Sequence, residues 1–368
     1  MNYFFILGNH PDLSAAELRA YFKPEKELLF RNVYMAQLPD FDAAQAVRAL
    51  GGTIKIGRLI KTISKQEIEK TALEELLKAP KQGKFNFGIS VYGKLRLPQG
   101  NLGLDLKTAL KKEGISCRFV TSREETLSSV VVEQNKLVRG GRELIFIGTE
   151  DGIYFGITEA VQAFKELSSR DYGRPGRDDH SGMLPPKLAQ IMINLAQAKK
   201  SEILLDPFCG SGTILTEGLL LGYTKLYGSD ISGRAIDDTK LNMEWIAKRA
   251  ELHYDLRLSI LDALDLSKHI ASNSIGAIVT ETYLGPQRGR VDHQLVSAEL
   301  RVLYSKVLEQ CARIIKPGGH IVMALPIFSQ TNTKINPSIP AGLTKKDSFV
   351  YGRAGQRVFR EIIILEKK

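Results

Sequence analysis

The sequence has few cysteines, and they are widely separated. Of its 368 residues only three are cysteine, Cys117, Cys209 and Cys311. They do not have the CxxC or CxxH spacing of zinc sites and redox motifs, and three scattered thiols do not form a disulfide framework. The sequence therefore predicts no metal site and no disulfide-stabilised secreted domain, and it favours the reducing cytoplasm.

Long apolar runs are also missing. The apolar start from Tyr3 to Leu7 is followed at once by Gly8 and Asn9, so it is too short for a signal peptide or a membrane span. We therefore expect a cytoplasmic protein that has no membrane partner. The length of 368 residues and the 43% of hydrophobic residues are sufficient for two or three globular domains.

The charge is unbalanced toward the basic side. Lys and Arg number 51 against 41 Asp and Glu, which gives a net charge of +10. Between residues 81 and 118 the acidic residues are only Asp105 and Glu113, and clustered basic residues favour a phosphate-bearing partner such as a nucleic acid. A solvated helix face with a loop is the alternative. The basic residues of this stretch are Lys81, Lys84, Lys94, Arg96, Lys107, Lys111, Lys112 and Arg118.

The strand and helix patterns divide the chain into parts. We expect residues 1–60 to form a small α+β unit of ferredoxin-like type and residues 61–165 to form a second α+β domain. Residues 166–185, rich in Arg, Asp, Gly and Pro, indicate a linker. From residue 186 to 368 strands and helices alternate, which predicts an α/β domain with a parallel sheet between two helical layers.

Two local signals are specific enough to test. Ser14 with Glu17 three residues later is a capping-box pair, so it predicts that the first helix begins near Ser14. The Pro98–Gly103 segment contains a proline and two glycines, so it predicts a loop.

The most informative segment is a glycine turn that follows an apolar strand. Ile203–Leu205 leads into Asp206-Pro-Phe-Cys-Gly-Ser-Gly-Thr213, where a helix begins. Gly210 and Gly212 let the backbone approach a ligand where a Cβ atom would collide, and Asp206 presents a carboxylate at the same edge. The alternative is a structural turn in which Asp206 caps the helix.

The pattern differs from a dinucleotide fingerprint. Such a fingerprint would place a third glycine at Leu215 and no acid before the first glycine. The turn therefore argues against NAD and suits a cofactor with a cationic sulfonium and an amino-acid end. Asp230, at the end of the second strand, is spaced to accept hydrogen bonds from ribose hydroxyls, and Asp262 follows the third strand near the base. Either acid has the alternative role of a helix cap or a solvated side chain.

Together with two preceding segments, this turn resembles a known family. Asp206–Thr213, Arg170–Arg177 and Gly182–Ala189 look like the THUMP-containing tRNA guanosine N2-methyltransferases, class I Rossmann-like RNA methylases. Phe87–Gly93 is similar to the family's THUMP module, an RNA-binding domain. The resemblance covers most of the chain. It implies that residues 61–165 are a THUMP domain and that residues 186–368 bind S-adenosylmethionine in a domain with a seven-stranded sheet.

The resemblance also implies which residues bind the cofactor and the RNA. The segment from Gly182 to Leu188 would line the methionine side. The expected cofactor-binding residues are Pro185, Asp206, Phe208, Gly210, Gly212, Thr213, Asp230, Ile231, Asp262 and Ala263. The expected RNA-binding residues are Lys94, Arg96, Lys107, Arg118, Arg174 and Arg177. For Lys94 and Arg96 the alternative is a solvated loop, and for Arg174 and Arg177 it is ion pairing with Asp171, Asp178 and Asp179.

The catalytic loop departs from the family's pattern. Where the family has Asp-Pro-Pro-Tyr after the fourth strand, this sequence has Glu281-Thr-Tyr-Leu-Gly-Pro286. An exocyclic guanine amine is a poor nucleophile, so the site must orient it and accept its proton. We expect Glu281 and Tyr283 to do this in direct, metal-free methyl transfer by a monomer to N2 of a tRNA guanosine. The alternatives are a methyltransferase for rRNA or DNA, or a non-catalytic RNA-binding protein that keeps the cofactor pocket.

Overall fold

The fold was analysed in a computed structural model that describes residues 1–79, 85–177, 183–285, 293–353 and 355–368. Contacts between Cα atoms divide the chain into two compact units. Unit 1 comprises Met1–Ala15 and Phe22–Lys165, and unit 2 comprises Ala16–Tyr21 and Glu166–Lys368.

The described part of unit 1 contains one eight-stranded sheet. Its strands are β1 (Tyr3–Leu7), β2 (Lys26–Phe30), β3 (Val33–Gln37), β4 (Thr53–Ile63), β5 (Phe85–Gly93), β6 (Cys117–Val120), β7 (Arg142–Gly148) and β8 (Ile153–Val161). They lie in the order β2-β3-β1-β4-β8-β7-β5-β6. The helices are α1 (Pro11–Phe22), of which residues 16–21 group with unit 2, α2 (Ala43–Ala49), α3 (Ile68–Lys78), α4 (Gln99–Lys112) and α5 (Ser129–Gln134).

The long strand β4 joins the two parts that the sequence predicted for this region. It pairs with β1 on one side and with β8 on the other, antiparallel in both cases. It also runs across the predicted boundary at residue 60. Residues 1–60 and 61–165 therefore share one sheet, and their division into two domains stays a prediction.

Unit 2 is a doubly wound α/β domain. Its strands are β9 (Ile203–Asp206), β10 (Lys225–Asp230), β11 (Asp255–Ile260), β12 (Ile275–Glu281), β13 (Ile315–Phe328), β14 (Thr333–Lys334), β15 (Leu343–Tyr351) and β16 (Val358–Lys367). The helices are α6 (Phe164–Tyr172), which begins in unit 1, α7 (Pro186–Leu195), α8 (Thr213–Leu220), α9 (Gly233–Ala250), α10 (Leu266–His269) and α11 (His293–Ile314).

Seven strands of unit 2 form a continuous sheet in the order β11-β10-β9-β12-β13-β16-β15, and β14 pairs with β13. The first five strands are parallel, whereas β16 is antiparallel to both of its neighbours. Every residue of β12 from Ile275 to Thr280 is buried, as expected for a strand covered by helices on both faces. Tyr304 and Leu308 of α11 belong to the core beside this strand. The predicted α/β class is confirmed, and the sheet contains the seven expected strands with the two-residue strand β14 as an eighth.

Three local expectations differ from the structure. The first helix begins at Pro11, a favourable residue for a first helical turn, so Ser14 lies inside it and its Oγ donates to the carbonyl oxygen of His10 at 2.8 Å. The segment expected to be a loop from Pro98 is helical from Gln99 onward. Helix α6 occupies the start of the predicted linker. In the described part of the chain, no helix is both long and apolar enough to cross a membrane.

Candidate active site

Acidic side chains end three neighbouring strands of the unit 2 sheet. Asp206 ends β9, Asp230 ends β10 and Glu281 ends β12. Strand β9 lies between the other two and all three are parallel, so the acids meet at one edge of the sheet. The chain places β10 on one side of β9 and β12 on the other, which makes this edge a topological switch point. Open α/β sheets bind their ligands at such points.

Asp206 is the most buried of these acids, with 2% of its surface exposed. Its Oδ1 accepts hydrogen bonds from Thr280 Oγ1 at 2.7 Å and from the backbone nitrogen of Phe208 at 3.1 Å. Burial raises the pKa of Asp206 to about 7, and the charges of Asp230 and Glu281 add to this effect. The site thus holds a carboxyl group that titrates near neutrality.

The glycine turn has the backbone conformation that its sequence predicts. Gly210 and Gly212 have positive φ angles of 51° and 80°. A Cβ atom on Gly212 would lie 2.8 Å from Cγ2 of Thr239, so this glycine is needed for packing against α9. A Cβ atom on Gly210 would meet no atom of the described residues within 4 Å, so among these residues the space in front of the turn is open and a ligand can approach the backbone.

Asp230 is tied to the same turn. Its Oδ2 accepts from the backbone nitrogen of Gly210 at 3.1 Å, and its Oδ1 accepts from that of Ser232 at 2.9 Å. Each carboxylate oxygen can accept a second hydrogen bond, so hydroxyl groups of a ligand still find acceptors here. The next residue, Ile231, exposes 73% of its surface and presents an apolar side chain at this edge.

Asp262 caps a short 3-10 turn. Its Oδ1 accepts from the backbone nitrogen of Leu264 at 2.9 Å. This hydrogen bond is the helix-capping role that the sequence left open as an alternative for Asp262. Ala263 is buried in the core beside it. Pro185 precedes α7, and its carbonyl oxygen accepts from the backbone nitrogens of Leu188 and Ala189.

Polar residues of α9 form hydrogen bonds to the backbone of the glycine turn. Thr239 Oγ1 donates to the carbonyl oxygen of Gly210 at 2.7 Å. Asn242 Nδ2 donates to the carbonyl oxygens of Ser211 at 2.7 Å and Gly176 at 2.8 Å, and its Oδ1 accepts from the backbone nitrogen of Gly176 at 2.8 Å. Neither residue was predicted from the sequence. The available signal was two polar residues three positions apart on the buried face of a helix.

Arg174 is also part of this arrangement, which differs from the RNA contact expected from the sequence. Only 5% of its surface is exposed, and its Nη1 donates to Thr213 Oγ1 at the start of α8. Its Nε and Nη2 are buried and have no hydrogen-bond partner among the described residues, and burial lowers the pKa of its guanidinium. The side chain therefore lies in the interior and not on the surface. Arg177 is exposed, and its Nη1 donates to the carbonyl oxygen of Tyr172 at 3.1 Å.

Glu281 forms an ion pair that the sequence did not reveal. Nε of Arg360, on β16, donates to Glu281 Oε1 in a close contact. Burial raises the pKa of Glu281, whereas the charge and the hydrogen bond of Arg360 lower it. The carboxyl group at the expected catalytic position is thus held by a cation.

Backbone contacts fix the loop that follows Glu281. Thr282 donates twice to the carbonyl oxygen of Ala324, from its nitrogen at 3.2 Å and from Oγ1 at 2.9 Å. The hydroxyl of Tyr304 donates to the carbonyl oxygen of Tyr283. The Tyr283 side chain is 55% exposed, so its ring is available to a ligand. These hydrogen bonds restrain the loop without the prolines of the family's pattern, and Pro286 lies outside the described residues.

The basic residues expected to bind RNA lie on several elements. Lys94 and Arg96 line a cleft of about 380 Å³ in unit 1, together with Lys65. Lys94 Nζ lies 2.7 Å from Oε1 of Glu150, an exposed ion pair. Lys107 is on α4 and Arg118 is on β6, and neither lines this cleft. Lys81, Lys84, Asp178, Asp179 and Gly182 lie outside the described residues.

No group of three or more His, Cys, Asp or Glu side chains suited to a metal ion occurs within the described ranges of the chain.

Family comparisons match two overlapping parts of the chain. Residues 174–336 match the RMKL-like methyltransferase domain family, and residues 65–241 match a DNA methylase family. The tRNA (guanine(10)-N2)-dimethyltransferase of Methanocaldococcus jannaschii is 32% identical over 166 residues, which are 44% of each chain. The enzyme of the same name from Methanothermobacter thermautotrophicus is 30% identical over 50% of each chain. The chain thus spans about half the length of the curated relatives it matches.

The fold is similar over the whole chain to that of a solved structure. TrmN from Thermus thermophilus superposes with a TM-score of 0.59 at 18% identity, and the match covers 100% of both chains. This likeness confirms the Rossmann-like methyltransferase fold expected for unit 2. Residues 174–336, which carry the glycine turn and the three strand-end acids, are thus the part of the chain that is similar to the RMKL-like methyltransferase domain family.

Proposed function

We propose that the protein transfers a methyl group from S-adenosylmethionine to the exocyclic N2 of a guanosine in tRNA. The observation that carries this proposal is the convergence of Asp206, Asp230 and Glu281 around the glycine turn at the switch point of the sheet. The relatives named as tRNA guanine-N2 methyltransferases support the choice of substrate.

The residues at this edge fit the cofactor's chemistry. At neutral pH the cofactor carries a cationic sulfonium, an ammonium group and one carboxylate, so its net charge is positive. Asp206 and Asp230 supply negative charge, and the open space at Gly210 gives access to the turn. Asp206 and the turn residues Phe208, Gly212 and Thr213, with Pro185, would hold the methionine part. Asp230 would bind the ribose, and Ile231, Asp262 and Ala263 would surround the base.

Glu281 and Tyr283 would prepare the acceptor. The cofactor supplies an electrophilic methyl group, but the lone pair of a guanine amine is delocalised into the ring and attacks poorly. Glu281 lies at the strand end beside Asp206, where its free oxygen can accept an amine hydrogen and then the proton that nitrogen loses. The ring of Tyr283, which is exposed, would stack on an extruded base.

Unit 1 would bind the RNA backbone. The cleft that contains Lys65, Lys94 and Arg96 concentrates basic side chains where phosphates can lie. Lys107, Arg118 and Arg177 would add contacts on other elements. The assignment of residues 61–165 to a THUMP domain, the monomeric state and the cytoplasmic location belong to the same proposal.

The test is transfer of a labelled methyl group to unmodified tRNA by the purified protein, with the product nucleoside identified by its mass. We expect N2-methylated guanosine in tRNA and no label in rRNA or DNA. Label found in rRNA or DNA, and not in tRNA, would show that the substrate is that polymer. Cofactor binding with no transfer to any polymer would support the non-catalytic alternative.

A further inference from the structure

The ion pair between Glu281 and Arg360 spans an intervening strand. Glu281 on β12 is in register with Ala324 on β13, and Ala324 is in register with Ile362 on β16. Partners in register point to the same face, and Arg360 lies two residues from Ile362, so Arg360 shares the face of Glu281. Arg360 itself pairs with Pro326 of β13, and its side chain reaches Glu281 on the far side of that strand.

We propose that Arg360 is a positioning residue of the transfer site, which keeps Glu281 ionised and turns its second oxygen toward the acceptor amine. The inference rests on the function proposed above. Arg360 donates to Oε1, and no other hydrogen bond to the Glu281 side chain occurs among the described residues, so Oε2 is the oxygen left for a substrate hydrogen. Arg360 is also largely buried itself, which fixes its direction.

The environment of Glu281 explains why a cation is needed. The side chain exposes 14% of its surface, and a buried carboxyl group without a partner takes up a proton and can no longer accept one. An arginine stays protonated at all relevant pH values, so it offsets the burial. The pKa of Glu281 is still above its ordinary value, which suits a group that must accept a proton during the reaction.

The other charged and titratable groups around Glu281 are acids and tyrosines. Asp206 approaches from β9, and the charge of Glu281 contributes to its raised pKa. Asp230 from β10 acts on Asp206 in the same direction. Tyr283 follows in the chain, and Tyr304 from α11 binds its carbonyl oxygen. Arg360 is thus the cation that faces this group of acids among the described residues.

The experiment is a pH profile of single-turnover methyl transfer, at saturating cofactor and tRNA, for the wild type, Arg360→Met and Arg360→Lys. In Arg360→Met the loss of the cation raises the pKa of Glu281, so the acidic limb of the pH profile moves to higher pH by about one pH unit or more. At a pH on that limb the rate falls about tenfold or more. Arg360→Lys keeps a positive charge and restores the position of the limb. A profile of Arg360→Met that matches the wild type would overturn the proposal.

A matched control is available on the same hairpin. Lys345 on β15 lies 3.6 Å from Glu361, the neighbour of Arg360 that points to the opposite face. Lys345→Met removes a cation close by without touching Glu281, so its pH profile stays that of the wild type. A shift as large as that of Arg360→Met would mean that any loss of positive charge produces the effect, and it would contradict the proposal.

Ionisation of Glu281 provides a readout that does not need activity. Carbon-13 NMR of the glutamate carboxyl groups, assigned by the signal missing in Glu281→Gln, measures its titration in the wild type and in Arg360→Lys. We expect Glu281 to be ionised at neutral pH in both proteins. A wild type that transfers no methyl group but holds Glu281 ionised would refute the proposed function alone. A protonated Glu281 at neutral pH in the wild type would refute the role of Arg360, even if Arg360→Met does not fold.

Discussion

Asp206→Asn removes a charge that the folded protein buries at a cost. Thr280 Oγ1 and the nitrogen of Phe208 both donate to Oδ1 of Asp206, so the amide oxygen of asparagine can accept the same two hydrogen bonds. The substitution therefore isolates the effect of the charge. Asp206→Asn should raise the free energy of unfolding of the cofactor-free protein. It should also weaken the binding of a cationic cofactor.

The size of the effect depends on pH, and its sign follows from the raised pKa. Asp206 titrates at about 7 in the folded protein and at 3.8 ordinarily. The folded state therefore binds the proton more tightly, so the wild type loses stability as the pH rises from about 4 to about 7. At about 1.4 kcal/mol for each pKa unit, the charged form costs about 4 kcal/mol above pH 7. Asp206→Asn should therefore raise the free energy of unfolding by about 4 kcal/mol at about pH 9 and by almost nothing at about pH 4.

Urea unfolding of the cofactor-free protein at acidic and alkaline pH measures the difference. The free energy of unfolding of Asp206→Asn should exceed that of the wild type only at alkaline pH, while calorimetry shows cofactor affinity reduced more than tenfold. Asp262→Asn is the matched control for the unfolding measurement, because Asp262 is exposed and caps only a short turn. An Asp206→Asn protein with no added stability at alkaline pH would refute the assignment of a buried charge to this position.

Two further predictions concern the same edge of the sheet. Because the cationic cofactor requires ionised Asp206, its affinity should fall about tenfold for each pH unit below about 7. Calorimetry across this range measures it, and a flat affinity in the wild type would contradict the prediction. Gly212→Ala should lower the free energy of unfolding by about 2–4 kcal/mol, because a positive φ and a Cβ atom 2.8 Å from Thr239 both penalise a side chain. Gly222→Ala, with a φ of 91° and no atom within 4 Å, should cost only the conformational part, about 1–2 kcal/mol. Equal losses in the two variants would show that the contact with Thr239 is unimportant.

The sequence predicted those features that depend on residues close together in the chain. The glycine turn, Asp206 at its start and Asp230 at the end of the next strand follow from one strand-turn-helix pattern, and the structure has that pattern.

Features that depend on strand register or on burial were not predictable in this way. The contact of Arg360 with Glu281 joins residues 79 positions apart, and it depends on the register of three strands. Arg174 carries a charge that suggested the surface, but tertiary packing buries it against Thr213. Ser14 and Glu17 match a capping box, yet Pro11 begins the helix earlier and places Ser14 inside it.

The central claim is that the acids at the sheet edge divide two roles, cofactor binding by Asp206 and proton acceptance by Glu281. The most direct test measures cofactor binding and single-turnover methyl transfer in parallel for Asp206→Ala and Glu281→Ala. The account predicts that Asp206→Ala loses cofactor binding, whereas Glu281→Ala binds the cofactor almost as the wild type does and produces no N2-methylguanosine. Equal loss of binding in both variants, or turnover that survives in Glu281→Ala, would contradict it.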